Sequence, residues 1–162
     1  MTHDVRAIAN LVLDLADAEE LHVTNMAVNK IVYFVHSHYL VEFGRPLVSA
    51  KIEAWQHGPV FRELYHEFKS FGDEPIRGRA SSLDPETGTK APAYGAFKEA
   101  EFQFLIETAK KYLPMPASSL RALSHEPGGP WDQVWNHDKI TNATMRISDD
   151  LIKGWFNKAA RH

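Results

Sequence analysis

Residues 25–43 constrain the fold of this chain more than any other stretch. Thr24 or Asn25 is placed to cap a helix, and Val23 with Val28 to staple its start. Val28, Ile31, Val32, Val35, Tyr39 and Phe43 then recur at helical spacing, and Phe34 and Val41 carry apolar surface further round the cylinder. A surface helix needs one apolar stripe, whereas a helix this apolar has to be buried among other elements. Gly44 is a natural C-terminal cap and Pro46 prevents continuation. The spacing therefore predicts a central helix with the rest of the chain packed around it.

The flanking patterns supply the packing partners. Val5, Ile8, Val12, Leu15 and Ala16 predict an amphipathic first helix that stops near Glu20, where clustered acids oppose the helix dipole. Ile52 to Trp55 reads as a weak strand. Gly58-Pro59 reads as a helix start with Pro59 at the first helical position, followed by Phe61, Leu64, Tyr65 and Phe68. Residues 73–95 are polar and rich in Pro and Gly, and they read as an exposed excursion with a short hairpin around Glu86-Thr87-Gly88. Ser118 or Ser119 is expected to cap a short fifth helix. Pro130 is expected to open a turn with Trp131, Val134 and Trp135, and Ser148 to cap a last helix whose buried stripe runs through Leu151, Ile152, Trp155, Phe156 and Ala159. Helices are expected near residues 4–19, 25–43, 60–71, 98–112, 118–124, 131–136 and 149–160. The fold class is mainly α, with six to seven helices and a small β-hairpin or short strands in one domain over residues 1–162.

Composition narrows the chemistry. With 162 residues the chain is about one domain long. It has no cysteine, which excludes disulfides, thiolate metal sites and cysteine nucleophiles and suits a cytoplasmic setting. Its formal net charge of −3 lacks the basic excess expected of a nucleic-acid binder, and no stretch is apolar enough to span a membrane. Among the nine histidines, His36 and His38 lie about 200° apart on a helix and cannot hold one ion from one face. No Gly-x-Ser-x-Gly elbow is present, and Pro127-Gly128-Gly129-Pro130 lacks the ending of a phosphate loop. No cofactor is implied. One enzymatic alternative is a hydrolase or metal-dependent enzyme using His57, His66 or His125 with Glu53. A second alternative is a nucleic-acid-binding regulator with the helix from Thr24 as reader, although that helix offers few exposed polar side chains.

Several motifs gain meaning from their order. Asn29-Lys30-Ile31-Val32-Tyr33-Phe34 precedes Gly44-Arg45-Pro46-Leu47 and then Glu53-Ala54-Trp55-Gln56-His57-Gly58-Pro59-Val60. Leu64-Tyr65-x-x-Phe68-Lys69-x-x-Gly72 follows, and later Leu123-Ser124-His125-Glu126 and Gly129-Pro130-Trp131. This order and spacing resembles the Panacea domain, the SocA-like antitoxin family also found in phage-associated proteins. Where many members carry an aromatic residue before Gly-Pro, this chain has His57. The resemblance implies a helical fold without catalysis, which binds and neutralises a cognate toxin by direct masking or by presenting it to a cellular protease. It does not identify the toxin.

Two further expectations follow. The Gly58-Pro59 corner beside Trp55 and the Gly129-Pro130-Trp131 corner should be neighbours in space. A partner-binding surface should lie on irregular segments that a rigid scaffold holds. The candidates are Trp55, Gln56 and His57, the face of the third helix formed by Arg62, His66 and Lys69, and the excursion with Arg77, Arg79, Lys90 and Tyr94.

Overall fold

The computed structural model describes residues 1–158. Among them are seven α-helices and two antiparallel strand pairs, in the order α1 (Val5–Ala18), α2 (Asn25–Phe43), β1 (Ile52–Trp55), β2 (Gly58–Phe61), α3 (Arg62–Phe68), β3 (Ser81–Leu83), β4 (Lys90–Pro92), α4 (Glu99–Tyr112), α5 (Ala117–Ser124), α6 (Pro130–Asp132) and α7 (Asp149–Phe156). The mainly α class holds. A 3₁₀ turn, Lys69–Phe71, extends α3, and a π turn, Gln133–His137, extends α6.

Helix α2 is central, as its composition requires. It contacts α1, α3, α4, α5, α7 and β2, and Val28, Val32, Tyr33, Phe34 and Tyr39 on it are sealed from solvent. Phe34 lies parallel to Tyr112 of α4 at 4.6 Å and edge-on to Phe156 of α7 at 6.2 Å, so one ring joins three helices. The Thr24 hydroxyl accepts from the Ala27 amide, and Gly44 closes the helix in the left-handed conformation at φ +69°. Glu101 of α4 is buried but fully partnered. It accepts from the Tyr39 hydroxyl at 2.5 Å and contacts His3 Nε2 at 3.1 Å, with Arg45 at 3.7 Å. Burial alone would raise this carboxyl, yet the Tyr39 and His3 hydrogen bonds hold it below its ordinary range.

Three expectations need correction. Gly58-Pro59 does not start a helix: residues Gly58–Phe61 pair with β1 in the register Ile52↔Phe61, Glu53↔Val60, Ala54↔Pro59 and Trp55↔Gly58, and α3 begins at Arg62. Local chemistry favoured Pro59 at a helix start, but all four β2 residues are buried, and burial on both faces decides for a strand. Helix α1 ends at Ala18, close to the expected stop, and Glu20 at φ +56° turns the chain back. Ser118 and Ser119 sit inside α5, whose N-cap is Pro116. Finally, α7 ends at Phe156, and the expected contribution of Ala159 lies outside the described residues.

Two segments complete the sheet structure. The Ala54 amide donates to the Met145 carbonyl and the Ile147 amide to the Ile52 carbonyl, both at 2.8 Å, so residues 145–147 cover the outer edge of β1. The excursion does hold a hairpin, β3 with β4, and its turn spans Glu86-Thr87-Gly88. Its base is clipped to α1 by Asn10, whose amide donates to the Ala80 and Ala93 carbonyls and accepts from the Ala80 amide.

Candidate partner-binding site

The β1–β2 hairpin projects a two-residue turn, Gln56-His57, from a buried base. The Trp131 indole N–H donates to the Trp55 carbonyl at 2.7 Å, so the two Gly-Pro corners are joined directly, as expected. Trp131 also packs on His125 at 3.8 Å and stacks on Trp135 at 6.0 Å, and Lys139 sits 4.1 Å above the Trp135 ring. Gly129 and Pro130 are buried beneath this cluster, with Pro130 at the first helical position of α6. The turn thus stands on an aromatic foundation contributed by a segment some 75 residues away.

The Trp55 side chain is half-buried. Its indole N–H donates to Glu53 Oε1 at 2.9 Å, and its ring meets Tyr65 edge-on at 4.9 Å. The same Glu53 oxygen accepts from Arg62 at 3.0 Å. Gln56 and His57 are exposed. Arg121 Nη1 donates to His57 Nδ1 at 3.2 Å, since a guanidinium only donates. Arg62, His66 and Lys69 follow at helical spacing, all exposed. Arg62 and His66 help line a groove of about 780 Å³ together with His3, Arg6, Lys51 and Glu53. Glu53 thus links Trp55 to Arg62, and Arg62 to the groove that His66 lines, while His57 at the turn faces Arg121 of α5.

The excursion residues are distributed differently. Arg79 is engaged within the chain, donating to Asp14 at 2.8 Å and Asp17 at 2.5 Å, and these bonds outweigh burial to raise its guanidinium above the ordinary range. Arg77 and Lys90 are exposed. Tyr94 is 66% exposed and borders a separate apolar groove of about 330 Å³ with Leu11, Leu15, Phe97, Phe102 and Ile106.

The side chains considered for catalysis divide between two places. His66 and Glu53 line the same groove, with Glu53 engaged by Trp55 and Arg62, whereas His57 and His125 flank the hairpin turn. Among the described residues no three His, Asp or Glu side chains converge as metal ligands would. Ser124 Oγ lies 3.1 Å from His125 Nδ1, but that nitrogen is 2.8 Å from the Arg121 carbonyl, so it carries the proton and cannot act as a base toward Ser124. Burial holds the His125 imidazole below its ordinary range; the Arg121 and Gln56 carbonyls oppose this, while the nearby Arg121 and Lys30 charges add to it.

Lys30 was missed by sequence reasoning as a site residue. It lies under the turn with 5% of its surface exposed. Burial, reinforced by the Arg121 charge, pushes its ammonium down to about 8. A lysine on a helix is ordinarily solvated, and the one available signal was the apolar character of α2 on every side.

These features define a helical scaffold presenting a rigid hairpin turn and a charged helix face, an arrangement suited to binding. The chain belongs to the family described as Antitoxin SocA-like, Panacea domain, whose model matches residues 28–132. It is 37% identical over 158 residues to Antitoxin SocA of Caulobacter vibrioides, covering 94% of this chain and 82% of that protein. No solved structure matches it significantly.

Proposed function

We propose that this chain is an antitoxin that binds a cognate protein toxin without catalysis, using Gln56 and His57 at the hairpin turn, Trp55 behind them, and Arg62, His66 and Lys69 on α3. The observation that carries the reading is the 37% identity to Antitoxin SocA across nearly the whole chain. The geometry supports the placement. The turn is exposed while its base is fixed by the Trp131–Trp55 hydrogen bond, so little conformational freedom is lost when a partner binds. Arg77 and Tyr94 offer a second exposed patch on the excursion, whereas Arg79 serves to hold that excursion to α1. The net charge of −3 disfavours nucleic acid as partner, and none of the described helices is long and apolar enough to cross a membrane. Masking in the cytoplasm is the simplest outcome of such contact. Delivery to a cellular protease would use the same surface and would shorten the toxin's half-life.

Co-expression with the toxic reading frame encoded beside this chain tests the proposal. Alanine at Gln56, His57, Arg62 or His66 should weaken toxin binding while leaving the melting temperature unchanged. A central hot-spot residue costs about 2 kcal/mol, or about 30-fold in affinity. If all four variants neutralise the toxin fully and only core substitutions that unfold the protein abolish protection, the surface is misplaced. If the wild-type chain binds no neighbouring gene product, the antitoxin reading itself fails.

A further inference from the structure

Side chains alternate along β1: Ile52 and Ala54 are buried in the core, and Glu53 and Trp55 share the opposite face. A glutamate is ordinarily solvated, yet the Glu53 side chain is only 12% exposed. Its Oε1 alone accepts three hydrogen bonds, from the Trp55 indole N–H at 2.9 Å and from Arg62 Nε at 3.3 Å and Nη2 at 3.0 Å. Trp55 lies two residues along the same strand, and Arg62 opens α3.

These donors belong to the two pieces of the proposed toxin surface. Trp55 stands behind the Gln56-His57 turn, and Arg62 begins the face that His66 and Lys69 continue. The Trp131 hydrogen bond to the Trp55 carbonyl fixes the main chain of the hairpin, but it does not orient the Trp55 ring. That ring is held by Glu53 at its indole nitrogen and by Tyr65 of α3, edge-on at 4.9 Å. Arg62 is 61% exposed, and its side-chain hydrogen bonds go to Glu53. A guanidinium gripped by a mostly buried carboxylate is fixed more firmly than one in open water. A side chain ordered in advance loses less freedom when a partner docks.

We propose that Glu53 is a positioning residue of the toxin surface. It holds the Trp55 indole and the Arg62 guanidinium so that the hairpin turn and α3 present one pre-arranged face, and it acts through these two side chains rather than through a toxin contact of its own. This role rests on the antitoxin reading. It also accounts for the residue type. Glutamine keeps an acceptor oxygen for Trp55 but lacks the charge that Arg62 engages, and alanine releases both donors.

The test measures affinity for the product of the toxic reading frame encoded beside this chain, with Glu53→Gln placed in two backgrounds. In the otherwise wild-type protein the substitution should weaken binding about 10-fold. With Trp55→Phe and Arg62→Ala already present, the two donors are gone and Glu53→Gln should cost nothing further. A role in the fold at large would cost the same in both backgrounds. In the isolated protein, the Arg62 Nε–H resonance should stand apart from those of solvated arginines and should join them in Glu53→Gln. Equal losses in the two backgrounds, or wild-type affinity in Glu53→Gln, would overturn this role while toxin binding by the wild type leaves the antitoxin reading intact. A wild-type Arg62 Nε–H already at the solvated position would overturn it without any variant. A wild-type chain that binds no toxin would overturn the antitoxin reading, and this role with it.

Discussion

Residues 52–61 and 81–92 both fold back as antiparallel pairs, but they are held by different means. In the first hairpin, Ile52, Ala54, Val60 and Phe61 are buried, residues 145–147 cover the edge of β1, and the Phe61 amide donates to Asn29 of α2 at 2.9 Å. The second hairpin contributes exposed or half-buried side chains and is fixed mainly at its base, through Asn10 and Arg79. One hairpin is part of the core and the other is tethered to it. A strand pair this short is marginal alone, so where its side chains go decides whether it is rigid. The difference explains why the first hairpin is the better platform for a partner: its tip is exposed while its base cannot shift.

Substitution within the two hairpins gives the sharpest contrast. Phe61→Ala empties a sealed position and should cost about 3–5 kcal/mol in denaturant unfolding. Leu83→Ala, at a position 58% exposed, should stay within about 0.5 kcal/mol. Equal costs would break the comparison.

Asn10→Ala should come next, at about 2–3 kcal/mol, because two carbonyls and one amide lose their partner at a site closed to water. Hydrogen exchange should then quicken at the Ala80 and Ala93 amides while Ala54 and Phe61 stay protected. Faster exchange in both hairpins would mean that they unfold as one unit.

Lys30→Met reads the charge beneath the first hairpin. The Lys30 ammonium falls from 10.5 to about 8 on folding, with Arg121, His125 and His57 as the neighbouring ionisable groups. Below pH 8 both states hold the proton and the native state bears the full burial cost. Between pH 8 and 10.5 the unfolded chain binds more protons than the native one, so stability contributed by this group rises with pH. The variant should therefore be more stable at pH 7 by about 1–3 kcal/mol, and its advantage should shrink toward pH 10. Thermal melts across that range check both the sign and the slope.

Arg79→Ala should have the smallest effect, about 0.5–1 kcal/mol, since Asp14 and Asp17 are themselves solvent-facing. The difference from wild type should diminish further in high salt, as expected for partly exposed ion pairs.

The first hairpin was also the harder one to read. Gln56-His57 lacks the Asn-Gly type of turn signal, and Pro59 looks locally like the opening of a helix, so only Ile52–Trp55 was legible as a strand. The second hairpin was legible because Pro85 and Gly88 punctuate an otherwise polar run. Of the candidate site, the adjacency of Trp55 and Trp131 was foreseen from two rigid corners, while Lys30 was not singled out, since its burial depends on Gly58, Ser124 and His125 arriving from distant parts of the chain.

The sequence by itself determined the helical class, the central place of α2, and the caps at Gly44 and Ser148, because apolar spacing and capping chemistry act within a few residues. Tertiary structure alone decided that Gly58–Phe61 is a strand, that Arg79 is engaged with α1, and that a buried lysine lies under an exposed turn. Those outcomes turn on burial and on pairing between residues far apart in the chain, which local pattern does not encode.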